Sequence, residues 1–233
     1  TDINMKPIYE KDKCIFNLKG TNELTGLWKP PVANTAVQKV DGKYTASDSS
    51  AKLTFTAKSP IIAETSRVFS ISFWAQRTEL NGSSWQQFGF WFNDATKMNF
   101  GFAGDKNIYI DDNGVGAGNS LDIGPDYLKD TSDEAYKKPI FYTICRDTNR
   151  TYITINGKLI PNGVINNLPS SSQTIDKIIL FNADGGSITG WIDKVLIHRD
   201  VCLYREDFTV DFTPADDYDE PSVNTKKHYL KIY

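Results

Sequence analysis

Side chains able to do chemistry are few in this chain. His198 and His228 are its two histidines, so a Ser/His or Cys/His nucleophile has little choice of base. No G-x-S-x-G elbow is present. Cys14, Cys145 and Cys202 are too far apart for the short Cys/His spacing of a zinc site. The densest polar cluster inside an apolar run is "GWIDKVLIHRDVCLY", residues 190–204. Buried charge is costly, so Asp193 and His198 mark either a reactive site or polar positions on a strand. No second carboxylate or histidine converges in sequence on Asp193, which favours a structural role. Alternation puts Asp193, Val195 and Ile197 on one side and Ile192, Lys194, Leu196 and His198 on the other. Val195 and Ile197 are expected to face the core, with Asp193 near the strand's beginning and His198 at its end. Asp111, Asp112 and Asn113 offer hard oxygen ligands suited to calcium, with the Asp184 loop as a further donor. Asp-Asp-Asn-Gly is equally ordinary turn chemistry, and both readings stay open.

The richest candidate surface is aromatic. In "WQQFGFWFN", residues 85–93, a period of two sends Phe88, Phe90 and Phe92 to one face. Trp85, Gln87, Gly89, Trp91 and Asn93 go to the other. The partner run "MNFGFA" adds Asn99 and Gly101 to that second set. Trp74 and Gln76, with Ser70 and Ser72, extend it from a neighbouring strand. Such a set can hold a sugar. Tryptophan supplies a flat apolar plate with few rotors to freeze. Amides donate and accept, as hydroxyls require, and glycine admits a ligand close to the backbone. The alternative is that a loop or another strand covers this face and turns Trp74 and Trp91 into a second core.

The elements that carry these residues read as strands. Helical periodicity is scarce, and period-two runs bounded by Gly, Asn, Asp and Pro recur. Strands are expected at 13–18, 43–46, 51–57, 68–77, 85–93, 97–104, 107–111, 140–147, 151–156, 158–161, 175–182, 188–198, 207–212 and 227–232. Asn156-Gly157 between β-branched runs predicts a type I′ hairpin. A helical turn is expected at 201–206, an extended connection at 29–39 and a long loop at 111–139. The first and last apolar strands are expected to lie together. Together these predict an all-β, two-sheet antiparallel β-sandwich, with residues 1–233 as a single domain.

Bulk properties agree. At 233 residues and 39% hydrophobic content, the chain can build its core without metal or disulfide. No apolar run reaches the length of a membrane span, so no membrane insertion is expected. A net charge of -3 leaves little for phosphate attraction, so no nucleic-acid partner is expected. Three cysteines leave an odd thiol. All three sit beside apolar residues and are expected to be reduced, with one bridge left open. Thr1-Asp2-Ile3-Asn4 shows no leader pattern, which fits either a removed leader or a removed initiator methionine.

Three ordered segments resemble the laminin-G-like branch of the concanavalin A-like lectin/glucanase superfamily. "FSISFWAQR" (69–77) is similar to its Trp-containing strand. "KKPIFYTICRDTNRTYITINGKLI" (137–160) resembles its paired strands closing on an Asn-Gly hairpin. "GWIDKVLIHRDVCLYREDF" (190–208) resembles its final Gly-x-Ile-Asp strand. The resemblance implies a jelly roll, often non-catalytic and carbohydrate-binding, sometimes with calcium. Hydrolases of that superfamily place paired carboxylates alternately on one strand. None of Glu10, Glu23, Glu64, Glu79, Glu134, Glu206 or Glu220 begins such a pattern, so no enzyme is expected. The expected partner is a glycan or cell-surface polysaccharide, and the expected place an extracellular surface or a virion. The alternative is a structural virion or surface-decoration protein that uses the sandwich to bind other surface proteins.

Overall fold

The computed structural model describes residues 12–18, 26–62, 68–79, 85–91, 97–103, 107–112, 133–147, 150–160, 174–181, 186 and 188–210. For 62, 85–91, 97–103, 107–112, 133, 136 and 174, it is the backbone that is described. The strands are β1 (Cys14–Leu18), β2 (Val32–Ala33), β3 (Val37–Val40), β4 (Lys43–Ala46), β5 (Lys52–Ile62), β6 (Phe69–Arg77) and β7 (Trp85–Trp91). They continue as β8 (Lys97–Ala103), β9 (Asn107–Asp112), β10 (Ile140–Arg146), β11 (Thr151–Ile155), β12 (Lys158–Leu159), β13 (Thr174–Phe181) and β14 (Gly190–Arg199). A short helix, α1 (Asp133–Tyr136), precedes β10. No helix among the described residues is long and apolar enough to cross a membrane.

The strands form two antiparallel sheets. The eight-stranded sheet runs β12-β11-β10-β6-β14-β4-β3, with β1 also paired to β14. The six-stranded sheet runs β2-β5-β13-β7-β8-β9. Alternation makes the core between them. In β6, Phe69, Ile71, Phe73 and Ala75 enter the main core, leaving Ser70, Ser72, Trp74 and Gln76 on the outer face. Phe16 of one sheet meets Phe55 of the other edge-to-face at 4.9 Å, which ties the layers together. Truncating such a ring costs about 3–5 kcal/mol.

Both Asn156 and Gly157 have positive φ, 48° and 78°, as a type I′ turn requires. Gly157 has a second constraint, since a Cβ there would collide with the Phe208 carbonyl oxygen. Asp41-Gly42 makes a similar turn between β3 and β4, with φ of 48° and 76°. The connection expected at 29–39 contains β2 and β3 instead. These strands of two and four residues are too short to show a period.

β14 departs from strict alternation. Its register against β6 shifts between Asp193 and Leu196, and Lys194 takes a φ of 52°. The extra residue reverses the phase. Ile192, Val195 and Ile197 all enter the main core, as expected for the last two. Asp193 therefore does not share the side of Val195 and Ile197; it joins Leu196 and His198 on the outer face. It lies inside the strand, opposite Trp74, and is 4% exposed.

No helical turn forms at 201–206. Residues 201–210 instead run as an irregular strap across the outer face of the eight-stranded sheet. Ser70 Oγ donates to the Val201 carbonyl and accepts from the Leu203 amide, both at 2.8 Å. These bonds hold the backbone open where a helix would need its own carbonyls. Cys145 and Cys202 form a disulfide, which corrects the expectation of reduced cysteines; Cys14 keeps its thiol and is buried. The Phe208 amide then docks on the Gly157 carbonyl at 2.8 Å. Asp207 accepts from the Leu159 amide and the Lys158 ammonium, and those bonds hold its carboxyl below the usual carboxylate range. Of the strand expected at 207–212, residues 207–210 hold a single bridge, and 211–212 lie outside the described residues. The strand expected at 227–232 lies outside the described residues.

Candidate functional site

The aromatic strip is built from β7, β8 and β9, at one edge of the six-stranded sheet. Their register forms successive rows: Trp85–Ala103–Asn107, Gln87–Gly101–Tyr109 and Gly89–Phe100–Ile110. Asn99 opposes Asp111, and Trp91 opposes Lys97. Strict alternation does not survive around Gly89. The register shifts on both sides of it, and it opposes Leu180, a fully buried member of the main core. Gly89 thus leaves the set that alternation gave it. Asn93 and Asn113 lie outside the described residues.

Trp74 and Gln76 do not extend this strip. They belong to β6, in the other sheet. Trp74 is 6% exposed, packed with Phe141, Cys145, Leu196, Tyr204 and Phe208. Its plate is covered, so for Trp74 the second-core alternative holds. The cover is the strap, which no local pattern in residues 201–210 announces. Tyr204 and Phe208 close over the cluster, Phe208 meeting Phe141 edge-on at 6.5 Å. Burial pushes the Tyr204 phenol up to about 12.

Gln76 has a different setting. It is half-buried, and its Oε1 accepts the Trp191 indole N–H at 2.8 Å. Trp191 is itself half-buried. The Lys43 ammonium lies 5.2 Å from its ring centroid. Thr45 opposes Trp191 in β4, and Gln38 opposes Thr45 in β3. Gln38, Thr45, Trp191 and Gln76 thus make one row on the outer face at the margin of the strap, Trp191 packing in part against the covered cluster. Trp191 is absent from the sequence-derived set because it sits in an apolar run that reads as core.

Asp193 and His198 do not form a reactive pair. Their β6 partners are Trp74 and Ser70, four residues apart, or roughly 13 Å along a strand. His198 is 1% exposed, and burial lowers its pKa from 6.5 to about 4. At neutral pH it is an uncharged imidazole. Asp111 and Asp112 are consecutive positions of β9, so the strand runs on where a turn was the alternative to calcium. Consecutive strand positions alternate faces. Among the described residues, no group of three or more His, Cys, Asp or Glu is placed to hold a metal ion.

No family model matches the chain, and no curated protein does either. Solved structures do resemble it. The botulinum neurotoxin serotype D binding domain has a TM-score of 0.58 at 18% identity, covering 85% of this chain and 49% of that one. Domain 4 of AbnA, a GH43 extracellular arabinanase from Geobacillus stearothermophilus solved with arabinotriose, has a TM-score of 0.56 at 14% identity. That match covers 82% of this chain and 94% of the other. Trypanosoma rangeli sialidase has a TM-score of 0.52 at 9% identity, covering 81% of this chain and 30% of that one. The chain spans about half the length of the toxin domains it matches. At such identities the likeness is one of fold, and that fold is an all-β sandwich of two antiparallel sheets.

Proposed function

We propose that this chain is a non-catalytic carbohydrate-binding module of the concanavalin A-like, laminin-G-like jelly-roll type, with residues 1–233 as one domain. Its ligand is a glycan or cell-surface polysaccharide, held on the β7–β8–β9 strip by Trp85, Gln87, Trp91 and Asn99, together with Asn93. The supporting observation is the register. Aromatic, amide and glycine positions fall in adjacent rows of an edge hairpin, where a sugar can meet a flat ring, a hydrogen-bonding amide and open backbone together. The name of one neighbour, an arabinanase domain solved with arabinotriose, points the same way. An extracellular surface or virion location is supported by the Cys145–Cys202 disulfide, since such bonds persist in oxidising surroundings.

The alternative, a virion or surface-decoration protein, has one observation in its favour. β2 and β3 are sheet edges, and they leave Val32 71% and Val40 46% exposed. Exposed apolar edges suit contact with other proteins.

Titration on a glycan array separates these readings. The wild type is expected to bind at least one glycan saturably. Trp85→Ala and Trp91→Ala are each expected to weaken it about tenfold or more, the scale of one lost aromatic contact. Folded variants that bind as tightly as wild type would remove the strip as the site.

A further inference from the structure

We infer that the open half of the eight-stranded sheet's outer face, around Trp191, is a second sugar site selective for a carboxylated pyranose. The carbohydrate class rests on the reading above; the place and the charge preference do not. The strap docks on β6 and β10 and on the β11–β12 hairpin. The row Gln38–Thr45–Trp191–Gln76 lies at its margin, Trp191 packing in part against the covered cluster and staying partly exposed, with Val40 and Lys43 paired in the next outer row. Gln76 fixes the indole N–H of Trp191 at 2.8 Å. One plane of a half-buried ring is therefore set before any ligand arrives, which lowers the ordering cost of binding.

The polar groups around that plane match a sugar acid. The C–H face of a pyranose packs on an indole as other apolar surfaces do. Gln38 and Thr45 offer exposed and half-exposed donors and acceptors for its hydroxyls. The Gln76 amide has its oxygen engaged by Trp191 and its NH₂ still to offer. Lys43 decides the charge. Its ammonium lies 5.2 Å from the Trp191 centroid, within cation–π range. A neutral sugar settling on the ring displaces that cation and returns nothing for it. A carboxylated sugar displaces it into a charge-assisted hydrogen bond at the ring's margin. Charge complementarity thus selects an acidic residue, whether from a uronic-acid chain or a sialylated glycan.

The readout is the Trp191 indole N–H resonance in nitrogen–proton correlation spectra, assigned by its disappearance in Trp191→Phe. Tetragalacturonate and sialyllactose are titrated, each against its neutral counterpart, the methyl ester of the same oligosaccharide. One acidic ligand is expected to move the Trp191 resonance saturably and to bind about tenfold tighter than its neutral counterpart, the factor a charge-assisted bond supplies. Which acidic ligand does so distinguishes the two sources. Lys43→Gln is expected to erase that preference, while Lys52→Gln, on the other sheet, keeps it. Equal affinity for acidic and neutral ligands overturns the inference, as does a Trp191 resonance that none of them moves. Ligand binding that shifts other indole signals and leaves Trp191 in place supports the β7–β8–β9 strip and overturns this second site.

Discussion

Replacing Cys202 with serine is expected to lower the unfolding free energy by about 4 kcal/mol, the chain-entropy value for a loop of this length. The bond joins Cys145 in β10 to the strap across 57 residues. Without it the unfolded chain regains the freedom to separate these segments. The folded strap keeps its other anchors: the two bonds at Ser70, the Phe208 amide on Gly157 and the Asp207 contacts. The effect is therefore on stability and not on the existence of the fold. Urea midpoints of oxidised and reduced wild type, beside Cys202→Ser, measure it. A thiol count under denaturant without reductant provides a check. It is expected to find one free thiol, that of Cys14; three would contradict the bond, as would identical midpoints with and without reductant.

Acidification is expected to remove about 3 kcal/mol through His198 alone, since each tenfold change in proton affinity on folding is worth about 1.36 kcal/mol. Burial lowers the imidazole from 6.5 to about 4. Between those values the unfolded chain holds the proton and the folded one does not. The contribution is full above pH 6.5, falls as pH drops through the window and is exhausted below about pH 4. His198 lies between Cys14 of β1 and Ser70 of β6, where a charged ring has no bulk water to solvate it. Unfolding free energies of wild type and His198→Gln across this window isolate the effect from the carboxylates, which titrate in both. The wild type should lose more stability on acidification than the variant. Parallel slopes would show that His198 is not held neutral by the fold.

Strand identity was legible where a strand is long and one face is core. Phe69, Ile71, Phe73 and Ala75 of β6 alternate so regularly that the side facing the core follows from the period. The Asn156-Gly157 turn was equally legible, because its two positive φ values ask for those residue types. Three kinds of feature were not. A bulge residue such as Lys194 has no sequence signature, so one inserted position reversed the side of Asp193. Sheet membership is a long-range property. Alternation marked Trp74 and Trp85 as outward in the same way, although one belongs to the eight-stranded sheet and the other to the six-stranded. The strap is fixed by partners far away in the chain, Ser70 and Cys145. Its Val-Cys-Leu-Tyr run carries no period that separates a helical turn from an extended cover. That cover turned the outer Trp74 into a core residue and left Trp191 partly exposed at its margin on the same face.

Carbohydrate binding without cleavage is the property on which the functional reading stands or falls. Affinity electrophoresis through gels containing mixed soluble polysaccharides, with reducing ends assayed in the same incubations, measures both halves of it at once. Migration is expected to be retarded in at least one polysaccharide, with no release of new reducing ends. Unretarded migration in every gel would rule out the binding, and reducing ends that accumulate with time would show an enzyme.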